Sequence, residues 1–177
     1  MSDDELAERL KHGDESAFGA LYERHSQSLL RHLSHLMGNA EEAEELLHEV
    51  MMLMIRKIDF YTPRSDLKAS FKTWLFRLAT NRAIDEIRKR KKKQVPDEES
   101  IPSEEERLEQ KESETHLKSS LEELPPLQRT VLGLRIYDDL SYLEIALICG
   151  KDVNAIKQGL FQAKQSLKTI LAEGGHT

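Results

Sequence analysis

One cysteine, Cys149, stands among 177 residues, so no internal disulfide can form and a reducing compartment is expected. Long apolar runs are also missing. The longest, "VMMLMI", has six residues, far short of the roughly 20 that cross a bilayer. The start, "MSDDELAERL", is acidic where a secretory signal is basic and then apolar. These absences predict a cytoplasmic chain with no direct membrane insertion. There is no glycine-rich phosphate loop and no nucleophile beside a plausible base, which argues against an enzyme and implies no cofactor. His25, His32 and His35 share a helical segment, but the carboxylates that usually complete a metal site are not among them. No alternating stretch long enough for a sheet is present, no internal repeat is visible, and the fold class is read as all-α.

Charge is unevenly distributed along the chain. Residues 1–93 hold 17 basic against 16 acidic side chains, 94–123 hold 3 against 11, and 124–177 hold 6 against 5. The formal net charge of −6 is therefore owed to the middle. Within 94–115, "QVPDEESIPSEEERLEQKESET" has two prolines, three serines and no aromatic residue, the composition of a flexible acidic linker. Two small helical domains are expected on either side, over 1–93 and 116–177. An acidic tether between basic surfaces also predicts that the free chain closes on itself or is closed by a partner.

In the first domain, Ser2 and Asp14 are read as caps of helices ended by Gly13 and Gly38, and Asn39 with Glu42 as a capping box. Ser70 is read as the cap of "FKTWLFRLATNRAIDEIRKRKKK", 71–93. Phe71, Trp74, Leu75 and Leu78 fall at i, i+3, i+4 and i+7 and predict its buried stripe. Phe76 falls off that stripe, among Lys72, Thr73, Arg77, Thr80 and Asn81, and is expected to be an exposed ring on a basic surface where unstacked bases could lie. Residues 82–93 add seven cations against two anions. In the second domain, prolines in "LPPLQRTVLGLRIYDD" open a helix with Leu127, Val131 and Leu134 inward. Ser141 with Glu144 then caps a short helix, Gly150 makes a tight turn, and Asp152 caps a longer helix with Ile156, Leu160, Ala163 and Leu167 inward. Short helix, glycine turn, longer helix is a helix-turn-helix pattern.

The segments "GDESAFGALYERH", "AEELLHEV", "FKTWLFRLATNRAIDEIRKR" and "LEELPPLQRTVLGLRIYDDLSYLEIALICG", in this order and spacing, resemble conserved regions two and four of the extracytoplasmic function (ECF) group of bacterial sigma factors. The resemblance implies a non-enzymatic subunit that binds core RNA polymerase, recognises promoter DNA and is regulated by an anti-sigma factor. It implies region two over 1–93, the acidic linker over 94–115 and region four over 116–177. It places core-polymerase contacts at Glu45, Leu46, His48 and Glu49. It places minus-ten contacts at Lys72, Phe76, Arg77, Asn81, Arg82, Arg88 and Lys89, with Asp59 to Ser70 forming a base-selecting pocket. Minus-thirty-five contacts fall at Asn154, Lys157, Gln158, Gln162 and Lys164. Glu45 and His48 stand where the family commonly has Asp and Gln, and Gly159, Gln162 and Lys164 replace common arginines. The alternative reading is a sigma-like interaction protein that binds an anti-sigma regulator without promoter activity.

Overall fold

The computed structural model describes residues 1–63, 70–93 and 123–174. The linker over 94–115, the first residues of the second domain and positions 64–69 of the expected base-selecting loop lie outside the described residues. Among the described residues every regular element is helical: α1 (Asp3–Lys11), α2 (Glu15–Met37), α3 (Ala40–Lys57), a 3-10 turn (Ile58–Phe60), α4 (Phe71–Lys93), α5 (Pro126–Ile136), α6 (Tyr142–Cys149) and α7 (Val153–Gly174).

Local chemistry sets most of these boundaries. The Ser2 hydroxyl accepts from the Glu5 amide while the Glu5 carboxylate accepts from the Ser2 amide, a reciprocal cap. Asp14, Ser70, Ser141 and Asp152 each accept a backbone N–H of the turn that follows. Asn39 accepts from the amides of Glu41 and Glu42, but the Glu42 carboxylate reaches Arg90 of α4 at 2.6 Å, so this box is left half made. Gly150 closes α6 in the left-handed region at φ 66°, where a Cβ is disfavoured.

The core of the first domain is built from α2 and α3, which bury Leu21, Leu29, Leu33 and Leu36 against Leu46, Leu47, Val50 and Met54. Leu46, expected at the polymerase contact, is thus a core residue at 4% exposure. Helix α4 lies across both and also meets α6 of the second domain. Against α2 and α3 it buries two adjacent stripes rather than one. Phe71, Leu75 and Ala79 make the first; Thr73, Phe76, Thr80 and Ala83 make the second.

Phe76 is fully buried, contrary to the sequence expectation. Its stripe reads as polar because it contains threonines, yet their hydroxyls are satisfied locally. Thr80 donates to the Phe76 carbonyl at 2.7 Å and accepts from His32 Nε2 at 2.8 Å, which selects the neutral Nε2–H tautomer of His32. The His32 ring also packs on Phe76 at 5.3 Å between centroids. Burial pushes the His32 pKa down to about 3, with His35 nearby acting in the same direction. Trp74 is only half-buried, at the edge of an aromatic cluster with Tyr61 and Phe71. Leu78 is likewise half-buried.

In the second domain α5, α6 and α7 bury Val131, Leu134, Ile145, Ile148, Ile156, Leu160 and Ala163. Leu127, expected inward, is 39% exposed in the first turn of α5. The turn between α5 and α6 holds Asp139 at φ 49°, a left-handed conformation that costs an L-residue with a Cβ about 1 kcal/mol. Asp139→Gly should raise the unfolding free energy by up to about 1 kcal/mol, as read from the denaturant midpoint at constant m-value.

Candidate nucleic-acid interface

Helices α3 and α4 run antiparallel, and two acid–base links set their register. Glu49 pairs with Arg82 at 2.7 Å and Glu42 with Arg90 at 2.6 Å. Arg82 also holds Glu86 at 3.1 Å, and that hydrogen bond keeps the Glu86 carboxyl below its usual pKa. Arg82, expected to face DNA, is instead engaged by two carboxylates of its own domain. Its fork geometry suits such bridging.

The outer face of α3 exposes Glu45, His48 and Glu49 at i, i+3 and i+4. It continues into Met52 at 52% and Ile55 at 39% exposure. Both lie in a run of six consecutive apolar residues, which carries no periodicity that tells one face from another in the sequence. Phe60, just beyond, is 81% exposed.

On α4, Arg77, Asn81, Arg88 and Lys89 are exposed. The first three follow one another along a face at spacings close to whole turns. Lys72 is half-buried, its ammonium 5.5 Å from the centroid of the Phe76 ring. The ring expected to stack on bases therefore supports a lysine from beneath.

Asn81 and Arg88 line a cleft of about 700 Å³ between the domains, with Ile84, Asp85 and Lys91 of α4 on one wall and Leu127, Thr130, Gly150 and Lys151 on the other. Cys149 also lines it; burial pushes its thiol up to about 11, so the sulfur stays protonated at neutral pH. At the second contact between the domains, α2 meets α5. There Arg31 pairs with Asp138 at 3.0 Å, and the Asp138 side chain is 2% exposed. His35 stacks on Tyr137 at 4.6 Å.

The α6–Gly150–α7 unit has helix-turn-helix form. Asn154, Lys157, Gln158, Gln162 and Lys164 are all exposed on its second helix. Lys157 is steadied 5.8 Å from the Tyr142 ring centroid. Phe161 is 64% exposed on this helix. Its position was legible in the sequence, four residues after Lys157 and three after Gln158, but an apolar residue was not sought among polar readers. No three His, Cys, Asp or Glu side chains among the described residues are grouped to hold a metal ion. No described helix is long and apolar enough to cross a membrane.

The family model for Sigma-70 region 2 matches residues 21–93, and the model for Sigma-70, region 4 matches residues 117–167. The ECF RNA polymerase sigma factor EcfG of Rhodopseudomonas palustris is 32% identical over 79% of this chain and 77% of its own length. The chain belongs to the ECF RNA polymerase sigma factors. The ECF sigma factor SigW of Bacillus subtilis is 27% identical over 93% of this chain and 94% of that protein. Among solved structures, CnrH in complex with the cytosolic domain of CnrY has a TM-score of 0.73 and 22% identity over 97% of both chains. The fold likeness thus covers both domains of this sigma factor.

Membership fixes the broad function. This is an alternative RNA polymerase sigma factor, a transcription-initiation subunit with a helix-turn-helix in its second domain. The region-2 match runs from Leu21 in α2 to the end of α4, and the region-4 match extends through α5 and α6 to Leu167 in α7.

Proposed function

We propose that region 2, over 1–93, docks on core RNA polymerase through the exposed α3 face of Glu45, His48 and Glu49, extended by Met52 and Ile55. It opens the minus-ten element with Arg77, Asn81, Arg88 and Lys89 of α4, with Lys72 at the edge of that surface. Region 4, over 116–177, reads the minus-thirty-five duplex with Asn154, Lys157, Gln158, Gln162 and Lys164, and the acidic linker over 94–115 joins the two. Leu46 and Phe76 are left out because they are core residues, and Arg82 acts in aligning α3 with α4.

The observation that carries this reading is the amide- and lysine-bearing outer face of α7, on the second helix of a helix-turn-helix. Glutamine and asparagine can pair bidentately with adenine and lysine with guanine in a major groove, and Phe161 can pack on a thymine methyl. Only two of these five readers, Lys157 and Lys164, are cations, so the salt-dependent phosphate component of binding is small and tethering through polymerase supplies part of the affinity.

The protein works as a non-enzymatic regulator in the cytoplasm, and an anti-sigma factor is its controlling partner. A solved structure of similar fold, the sigma factor RpoE of Bartonella quintana in complex with the anti-sigma factor NepR, has a TM-score of 0.70 and covers 88% of this chain and 96% of that one. Co-purification with core polymerase, followed by sequencing of the initiated transcripts, tests the assignment. Glu45→Lys should lower affinity for core about tenfold, roughly 1.4 kcal/mol, without altering the unfolding midpoint. Lys157→Ala should weaken promoter selection with core binding intact. Unchanged core affinity in the first variant would remove α3 from the polymerase contact, and unchanged selection in the second would move the reading surface off α7.

A further inference from the structure

Helix α1 lies before Leu21, where the region-2 match begins, yet its polar side chains reach towards the start of α4. Leu6, Ala7 and Leu10 are buried and seat the helix on α2. Ser2 and Glu5 close its cap between themselves, which leaves Asp3 and Asp4 to act outside the helix. One carboxylate oxygen of Asp3 accepts from Arg24 and the other from His25 Nε2, each at 3.0 Å. Asp4 accepts from the Tyr61 hydroxyl. From the last residue of α1, Lys11 Nζ donates to the Tyr61 carbonyl at 2.8 Å. Asp4 and Lys11 are separated by about 10 Å of helix, so Tyr61 lies along α1 and is gripped at both ends.

The two rings that α1 holds by their polar groups, His25 and Tyr61, meet on Phe71, the first residue of α4. Ring centroids lie 5.9 Å apart for His25 and Phe71, and Tyr61 stands edge-on to Phe71 at 5.3 Å and 5.2 Å from Trp74. His25, Tyr61 and Phe71 are all buried. Lys72 comes next in the chain, close enough for its charge to act on His25. We infer that α1 is a positioning element for strand opening: Asp4 and Lys11, acting through Tyr61, fix the first turn of α4 and with it Lys72 and the line of Arg77, Asn81 and Arg88. The apolar stripe of α1 is enough to hold the helix on α2, but burial is non-directional. Hydrogen bonds at the two ends of Tyr61 have preferred distances and angles, and so they set where its ring stops against Phe71. The inference rests on the assignment of strand opening to α4 proposed above.

Tyr61→Phe removes one hydroxyl and keeps the ring, Asp4→Ala removes the acceptor of that hydroxyl, and Asp4→Asn keeps an acceptor oxygen. Asp4 lies outside every proposed contact with DNA or polymerase, and Tyr61, although within the expected base-selecting segment, is only 3% exposed. The full-length chain is bound to core polymerase and given a promoter recovered by transcript sequencing, with 2-aminopurine in its minus-ten element to report strand separation. Opening should be about fivefold slower for Tyr61→Phe and for Asp4→Ala, the factor expected of one lost hydrogen bond. The double variant Asp4→Ala/Tyr61→Phe should be no slower than either single one, because both remove the same bond. Asp4→Asn should open within about twofold of wild type. Core affinity should be unchanged throughout, and a template whose minus-ten element is already mismatched should be used by every variant as by wild type. Opening at the wild-type rate by Tyr61→Phe, effects that add in the double variant, or an equal loss on the mismatched template would overturn the positioning role. Arg77→Ala/Asn81→Ala in the same assay tests the assignment beneath it. Normal opening by that chain removes α4 from strand opening and the inference with it, whereas slow opening there beside normal opening by Tyr61→Phe removes α1 alone.

Discussion

Phe76→Ala should lower the unfolding free energy of region 2 by about 3 to 5 kcal/mol, the usual cost of emptying a fully buried phenylalanine site. The ring packs on His32 and lies beneath Lys72, on the stripe that also buries Thr73, Thr80 and Ala83. Its removal leaves a cavity in the middle of α4 and loosens the partners of a buried histidine. Against a typical domain stability of about 5 to 15 kcal/mol, such a loss brings region 2 close to its threshold. Trp74→Ala, at a half-buried position, should cost less. Urea unfolding followed by helical circular dichroism gives the ranking directly. A Phe76→Ala chain as stable as wild type but defective in promoter opening would return the ring to the DNA surface.

Acidification from pH 7 to pH 5 should destabilise region 2. His32 is held neutral in the fold with a pKa of about 3, whereas in the unfolded chain it titrates near 6.5. Below pH about 6.5 the unfolded state binds the extra proton, so unfolding becomes easier by about 1.4 kcal/mol per pH unit down to the folded pKa. The stability that depends on neutral His32 is complete above pH about 6.5 and has fallen by about 2 kcal/mol at pH 5. His25 adds to the same trend, because burial lowers its pKa despite the opposing pull of Asp3 at 3.0 Å. The check is the slope of unfolding free energy between pH 7 and pH 5 in wild type and His32→Gln. Whatever the absolute stability of the variant, its slope should be shallower. Equal slopes would show that His32 does not take up a proton on unfolding in this range.

Much of this protein was legible without its tertiary structure. Caps at Ser2, Asp14, Asn39, Ser70, Ser141 and Asp152 and the stop at Gly38 are local events, in which a side chain or a left-handed glycine answers a few nearby backbone groups. The helix-turn-helix followed from the same signals around Gly150. The exposed polar positions of α7 followed from the period of its apolar stripe.

What only the tertiary structure decided are the features set by a second neighbour. A hydrophobic period reports one buried face, and that of α4 is wider than a single stripe, because α3 and α2 lie against neighbouring sides of it and Phe76 and Thr80 face His32 of α2. Phe76 was therefore misplaced, and Thr73 and Thr80 disguised its stripe, since a hydroxyl can be buried once the preceding turn of its own helix or a facing histidine satisfies it. Arg82 reads as a DNA cation in one dimension; only the antiparallel register of α3 and α4 brings Glu49 to it. Arg31 and Asp138, 107 positions apart, carry no mutual signal in the sequence. Their pairing exists because the two domains meet, and side chains so far apart along the chain acquire a joint energy only when the fold places them within reach of each other.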